Sequence, residues 1–364
     1  MKKFVLKLYV LFFIIFFILP TILYGMANTS GDENLENRNM AEKPVFSIKN
    51  IQTFPGDYEN YYNDNLPYRT DLIKANALLN LKFFKQSPEN KVIIGKDGWL
   101  FYDPPIEDSD PIGQCTGDKL SNDSLEYIAN NLTKIRDTLK SEEREFIPML
   151  CPNKESIYGK YFLPSYYNFD NYTMGDQLAD YLQKNTDLNF VYTKKNIIDA
   201  INKYPNYDFY YKVDTHWNYL GGYIAAKDLL KSMDILIPEF SEISISSVPG
   251  RVGDLSNMTG IPEYFISDEL YTVDGYIQEL PSQNPDIASV ITYKNAQGNG
   301  KSVLVVRDSF SEGLYPYLNS TFSEVNYIHM TEYYPSVIEA CDPDIVIVEV
   351  VERYLLRFGS FSLR

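Results

Sequence analysis

The sequence predicts an α/β fold with a mainly parallel central sheet. Three observations lead there. Short, largely apolar runs recur down the chain. Stretches of helical periodicity lie between them. The 364 residues, 45% of them hydrophobic, are enough for a large core. Strands that are largely apolar are buried on both faces, and when they alternate with helices they form a parallel sheet covered on both sides.

The expected strands are FIPML (Phe146–Leu150), LNFVY (Leu188–Tyr192), SVLVV (Ser302–Val306), EVNYIH (Glu324–His329) and DIVIVEV (Asp344–Val350). Each has strand length and is rich in β-branched or aromatic residues. The clearest helix is SLEYIANNLTKIRDTLK, Ser124–Lys140. It puts Leu125, Ile128, Leu132, Ile135 and Leu139 on one stripe. Gln177–Gln183 and Tyr219–Lys231 also read as helices. Active sites of such sheets lie at the carboxyl ends of the strands.

The N-terminus reads differently. Lys2 and Lys3 precede a stretch that is almost wholly apolar from Phe4 to Ala27, with Lys7 its one charge. About 20 apolar residues span a membrane. A cleaved signal has a shorter apolar centre followed by small residues. Residues 1–27 are therefore expected to be a signal anchor, or a signal peptide cut near Gly25 and Ala27. Positive residues stay inside, so either way Lys2, Lys3 and Lys7 place the bulk of the chain outside the cytoplasm. Residues 28–45 are polar and Asn/Glu-rich, as a linker is. Residues 46–364 then form one domain, with no internal repeat and no later linker.

The net charge is −16. Nucleic acids call for a basic face, so DNA and RNA are excluded as expected partners. The 31 tyrosines build a core or line a sugar cleft. Cys115, Cys151 and Cys341 fit no zinc spacing. In an exported chain they form either one disulfide and a free thiol or three buried thiols.

Chemistry concentrates in two places. In KSVLVVRDSFSEGLYPYL, Lys301–Leu318, the strand SVLVV ends in a turn at Arg307-Asp308-Ser309 before a helix. A serine there reaches solvent, and the N–H groups that follow can stabilise an oxyanion. Equally, Asp308 or Ser309 is simply a helix N-cap. A serine nucleophile needs a base, and the chain holds only two histidines, His216 and His329. His329 lies in an expected strand and reads as a buried sheet histidine. His216 lies in VDTHWNYLGG, Val213–Gly222, ahead of a helix capped by Asn218. In an extended loop Asp214 and His216 project to the same side, so Asp214 can orient the imidazole. The plainer reading is a histidine near a helix start with a solvated carboxylate. A metal held by Asp214 and His216 would lack further histidines, and none is expected.

Taken together, DTHWN at Asp214–Asn218 and DSF at Asp308–Phe310 resemble the DHHW and alginate O-acetyltransferase-like families, relatives of the SGNH hydrolases. Further pieces match in order: DYENYYNDNLPYRTDLI (Asp57–Ile73), GKDGWLFYD (Gly95–Asp103), PNKESIYGKYFLP (Pro152–Pro164), GDL (Gly253–Leu255) and PDIVIVEVVERYL near the C-terminus. The resemblance implies a three-layer α/β/α SGNH-like fold. It implies Ser309 as nucleophile, His216 as base and Asp214 as its orienter. It implies acetyl transfer to a hydroxyl of a cell-envelope or exported polysaccharide. Water as acceptor would make an esterase instead, and a degenerate site would make a polysaccharide-binding scaffold. The acetyl donor would come from a membrane-bound O-acyltransferase partner, with no cofactor in this chain. Arg307 stands where SGNH relatives often carry glycine, and it either binds an anionic group or pairs at the surface. Thr215 replaces the second residue of the DHHW name. The oxyanion is expected at the Ser309 N–H, with Asn153 and Lys154 nearby, although an ion pair explains Lys154 as well. The chain ends ten residues after Tyr354, so glycan contact is expected in the cleft. Trp217 is either a sugar-stacking residue there or a core tryptophan.

Overall fold

The computed structural model describes residues 2–26, 40–66, 68–84, 87, 91–104, 110–162, 172–250, 253–265 and 268–363. Most of the expected linker, residues 28–39, lies outside them. The chain forms two compact units: residues 1–88 with 257–261, and residues 89–256 with 262–364.

The first unit is helical. Lys2–Met26, Phe54–Asp64 and Arg69–Leu79 form its helices. Among the described residues no helix is long and apolar enough to cross a membrane. The expected signal anchor therefore gains no support.

Among its described residues the second unit carries eleven strands. They are β1 (Val92–Ile94), β2 (Leu100–Tyr102), β3 (Glu145–Cys151), β4 (Val191–Tyr192), β5 (Ile245–Pro249), β6 (Glu269–Val273), β7 (Ser282–Gln283), β8 (Val290–Lys294), β9 (Ser302–Arg307), β10 (Glu324–His329) and β11 (Ile345–Val351). Seven form one sheet in the order β4-β3-β11-β9-β10-β8-β7. The pairings from β4 to β10 are parallel. Those of β8 with β10 and β7 are antiparallel. Strands β1 and β2 make the Trp99-bearing hairpin, and β5 and β6 a second hairpin.

Alternation along the strands divides the core in two. Val303 and Val305 face one cluster with Ile147, Met149, Ile345 and Ile347, under the helix Tyr219–Lys231. Leu304 and Val306 face the other with Phe146, Leu150, Val346 and Val348, under the helix Asn122–Ser141. This is the α/β/α sandwich. The predicted stripe from Leu125 to Leu139 is buried at every position. LNFVY pairs over only Val191–Tyr192, because it is an edge strand held by β3 alone and its Leu188 and Phe190 are half-exposed. All three cysteines are free thiols. Cys115 and Cys151 are buried and Cys341 half-buried.

Candidate active site

The buried run Val303–Val306 brings β9 to its carboxyl end between β11 and β10. Asp308 then starts the turn Ser309–Leu314 as its N-cap. Its Oδ1 accepts the Phe310 N–H at 2.9 Å and its Oδ2 the Val351 N–H at 2.7 Å. The Asp308 N–H donates to Glu349 Oε2 at 3.0 Å. Burial, with the Asp308 charge beside it, holds the Glu349 carboxyl well above the carboxylate range. Asp308 thus does the capping and anchors the turn to β11. Ser309 is left half-exposed with its hydroxyl unassigned to the cap.

The loop before the helix Tyr219–Lys231 brings His216 to that hydroxyl. Asn218 caps this helix, accepting the N–H groups of Leu220 and Gly221 at 2.9 and 3.1 Å. His216 Nδ1 lies 2.6 Å from Asp214 Oδ1, and His216 Nε2 lies 2.7 Å from Ser309 Oγ. An ionised carboxylate only accepts, so Nδ1 carries the hydrogen and Nε2 offers its lone pair to the serine hydroxyl. Burial lowers the affinity of His216 for a proton. The Asp214 hydrogen bond and charge outweigh that, Asp254 adds to them and Arg353 opposes, so the net shift is upward from 6.5.

Three side chains clamp the loop. Lys154 Nζ donates to the carbonyls of Tyr211, Lys212 and Asp214 at 3.2, 3.2 and 2.7 Å. Asp268 accepts the N–H groups of Lys212 and Val213 at 2.7 and 3.0 Å. Asp254 accepts the Thr215 N–H at 2.8 Å and its hydroxyl at 2.6 Å, while its own N–H donates to Asp214 Oδ2 at 3.1 Å. At Gly253 a Cβ would lie 2.3 Å from the Val213 carbonyl oxygen, so only glycine lets the strands of this loop approach.

The remaining expected residues fall away from direct chemistry. The Asn153 side chain is spent: Nδ2 donates to Gln114 Oε1 at 3.2 Å and Oδ1 accepts the Arg353 N–H at 3.1 Å. Lys154 is 1% exposed and holds the loop as described. Burial lowers its ammonium to about 8. Arg307 pairs with Glu312 at 3.4 Å and the Asp308 carbonyl at 3.3 Å, which is the surface role. Trp217 corrects the sugar-stacking expectation. It is 2% exposed, donates to the Phe310 carbonyl at 2.8 Å and packs on Gly313, so neither ring face is open to a sugar. His329 ends β10 half-buried, its Nδ1 2.7 Å from the Thr331 hydroxyl.

Two residues escaped sequence reasoning. Asp254 lay in the quoted GDL but had no role until the fold set its Oδ2 3.8 Å from His216 Nδ1. Arg353 lies just past β11, which is buried along its whole length, and a charge at a strand's carboxyl end was the available signal. Ligand atoms of Asp214, His216 and Asp254 lie within 4.8 Å of one another, close enough to share a metal ion. The atoms concerned are already hydrogen-bonded to one another, to backbone N–H groups or to the Thr215 hydroxyl.

The profile of the SGNH hydrolase-like domain, acetyltransferase AlgX, matches residues 92–318. Bacillus cereus PatB1 shares 16% identity with a TM-score of 0.52, over 73% of this chain and 97% of that one. The same protein with a sulfonyl adduct gives 16% and 0.54, over 75% and 99%. A DHHW family protein from Eubacterium siraeum gives 18% and 0.48, over 71% and 93%. No curated protein sequence matches. The PatB1 likeness shows the fold. The profile covers more than half the chain and includes both DTHWN and DSF, so the chain belongs to the AlgX acetyltransferase family of SGNH hydrolase-like domains.

Proposed function

We propose that the protein transfers acetyl groups to hydroxyls of a cell-envelope or exported polysaccharide through an acyl-enzyme on Ser309. The observation that carries this is the unbroken Asp214–His216–Ser309 relay, with contacts of 2.6 and 2.7 Å. His216 Nε2 takes the Ser309 proton as Oγ attacks the acetyl donor. Asp214 holds the tautomer and stabilises the imidazolium. The donor's leaving group departs with the proton from His216. In the second half His216 takes a proton from the acceptor hydroxyl, which attacks the acyl carbon, and gives it to Ser309 Oγ as the Oγ–acyl bond breaks.

The family supports a polysaccharide acceptor. The N-terminal lysines and apolar run motivate a place outside the cytoplasm, with acetyl groups delivered by a membrane-bound O-acyltransferase. The half-exposed Ser309 would also admit water, which gives the second reading, a glycan O-acetylesterase. Purified protein should turn over a chromogenic acetyl ester, and Ser309→Ala and His216→Ala should each abolish it. Retained turnover in both variants rejects an acyl-enzyme on Ser309, whereas no turnover by the wild type, with glycan binding that survives Ser309→Ala, marks a glycan-binding scaffold. Mass spectrometry of oligosaccharide acceptors separates the enzymes: acetylated sugar marks the transferase, and free acetate alone marks the esterase.

A further inference from the structure

Arg353 is a cation beside the site that forms no ion pair among the described residues, and its charge acts on the buried Glu155 carboxyl without pairing with it. It follows β11 in the turn Glu352–Tyr354 and is 8% exposed. Its backbone is engaged: the N–H donates to Asn153, and the carbonyl accepts from Gln114 Nε2 at 3.2 Å. Its guanidinium has no hydrogen-bond or ion-pair partner among the described residues, and Nε is fully buried. The rings of Phe310, Tyr354 and Tyr102 lie 5.3, 5.4 and 5.9 Å from Cζ.

A buried guanidinium without a hydrogen-bonded counter-charge is costly, and cation–π contacts offset only part of that cost. Such a group is useful where negative charge appears during a reaction. Phe310 locates it. This residue follows Ser309 in the chain, and its ring lies 5.0 Å from the His216 ring. The Arg353 charge also acts on His216, opposing the imidazolium. Other donors nearby are committed. Asn153 is held by Gln114 and the Arg353 backbone, and Lys154 by three carbonyls.

We infer that Arg353 is a catalytic residue whose guanidinium donates to the acyl oxygen as negative charge develops there, beside the Ser309 N–H. This rests on the proposed acyl transfer. When Ser309 Oγ bonds to the carbonyl carbon, the C=O π pair moves onto oxygen and the Oγ proton passes to His216 Nε2. On collapse the C=O bond reforms and the bond to the leaving oxygen breaks. That oxygen takes the proton from His216. The acyl oxygen is fully charged only between these two events, so a fixed donor there speeds the reaction without tightening substrate binding.

The test uses the full-length protein and p-nitrophenyl acetate, a neutral ester, with Ser309→Ala measured alongside. Arg353→Met should lower kcat by about 10²–10³ with little change in KM. Added guanidinium ion should restore part of the kcat of Arg353→Gly, which a purely structural role would not allow. If Arg353→Met does not fold, Arg353→Lys is judged by the same loss, since it keeps the charge and loses the planar fork. Arg353→Met with kcat within about threefold of wild type, while Ser309→Ala is dead, overturns the inference and leaves the proposed function standing. A rise in KM confined to anionic acceptors, with kcat on the neutral ester unchanged, also overturns it, because Arg353 would then bind a substrate anion. Full turnover by Ser309→Ala overturns the proposed function and this inference with it.

Discussion

At the scale of the residue, His216 sets the pH dependence. A general base works when neutral, and the His216 pKa is raised from 6.5. The acid limb of kcat/KM on a chromogenic acetyl ester should therefore be centred above pH 6.5. Linked stability runs the other way. The folded-state pKa exceeds the unfolded one, so the imidazolium favours the fold. That contribution is complete below about pH 6.5 and is lost as pH rises through the higher folded value. Asp254 is a positioning residue in this scheme, since it ties Thr215 and adds its charge near Nδ1. Asp254→Asn should move the acid limb to lower pH, by less than about one unit because the carboxylate is a third exposed. A pH–rate profile with an unmoved limb rejects that role. Asp214→Asn should cost far more, up to about 10⁴ in kcat, because the amide favours the wrong imidazole tautomer.

Among the elements, two close approaches decide the geometry. The helix Tyr219–Lys231 meets the Ser309–Leu314 turn at Gly222, where a Cβ would lie 2.1 Å from the Gly313 carbonyl oxygen. Backbone cannot yield there as a flexible side chain would. Gly222→Ala should destabilise the protein by about 1–3 kcal/mol, read from denaturant unfolding. Gly253→Ala should do less to stability and more to activity, because its Cβ would also sit 2.6 Å from Asp214 Cβ and displace the loop that aims His216. Equal kcat for Gly253→Ala and wild type contradicts this account. These glycines also mark the limit of the sequence. The strands β3, β9, β10 and β11 were legible because burial on both faces makes nearly every interior residue apolar, with Asn326 and Glu349 as the exceptions. Strands β5–β8 were not, since half-exposed residues interrupt their pattern. The relay was legible because histidine is scarce and Asp214 lies two residues from His216. The contributions of Asp254, Lys154 and Arg353 arise from chain crossings that no local spacing records.

For the whole molecule, the two-faced sheet explains how it holds together without a covalent staple. Each of the central strands contributes alternate residues to two separate clusters, so both helical layers are fixed to the same sheet. The three thiols have no part in that. Cys115 Sγ lies within its own helix at 3.1 Å from the Pro111 carbonyl, Cys151 is sealed at the end of β3, and Cys341 ends a short helix. Burial raises the pKa of all three, with Cys341 moved up to about 11. At neutral pH they are therefore thiols and poor partners for exchange. An exported chain permits disulfides, and one here would contribute about 2–4 kcal/mol. The free thiols predict instead that a reductant leaves the melting temperature unchanged. They also predict that Cys115→Ser combined with Cys341→Ser loses only what packing loses. A fall in melting temperature on adding reductant to the wild-type protein would show that a bridge between two of these cysteines contributes to its stability.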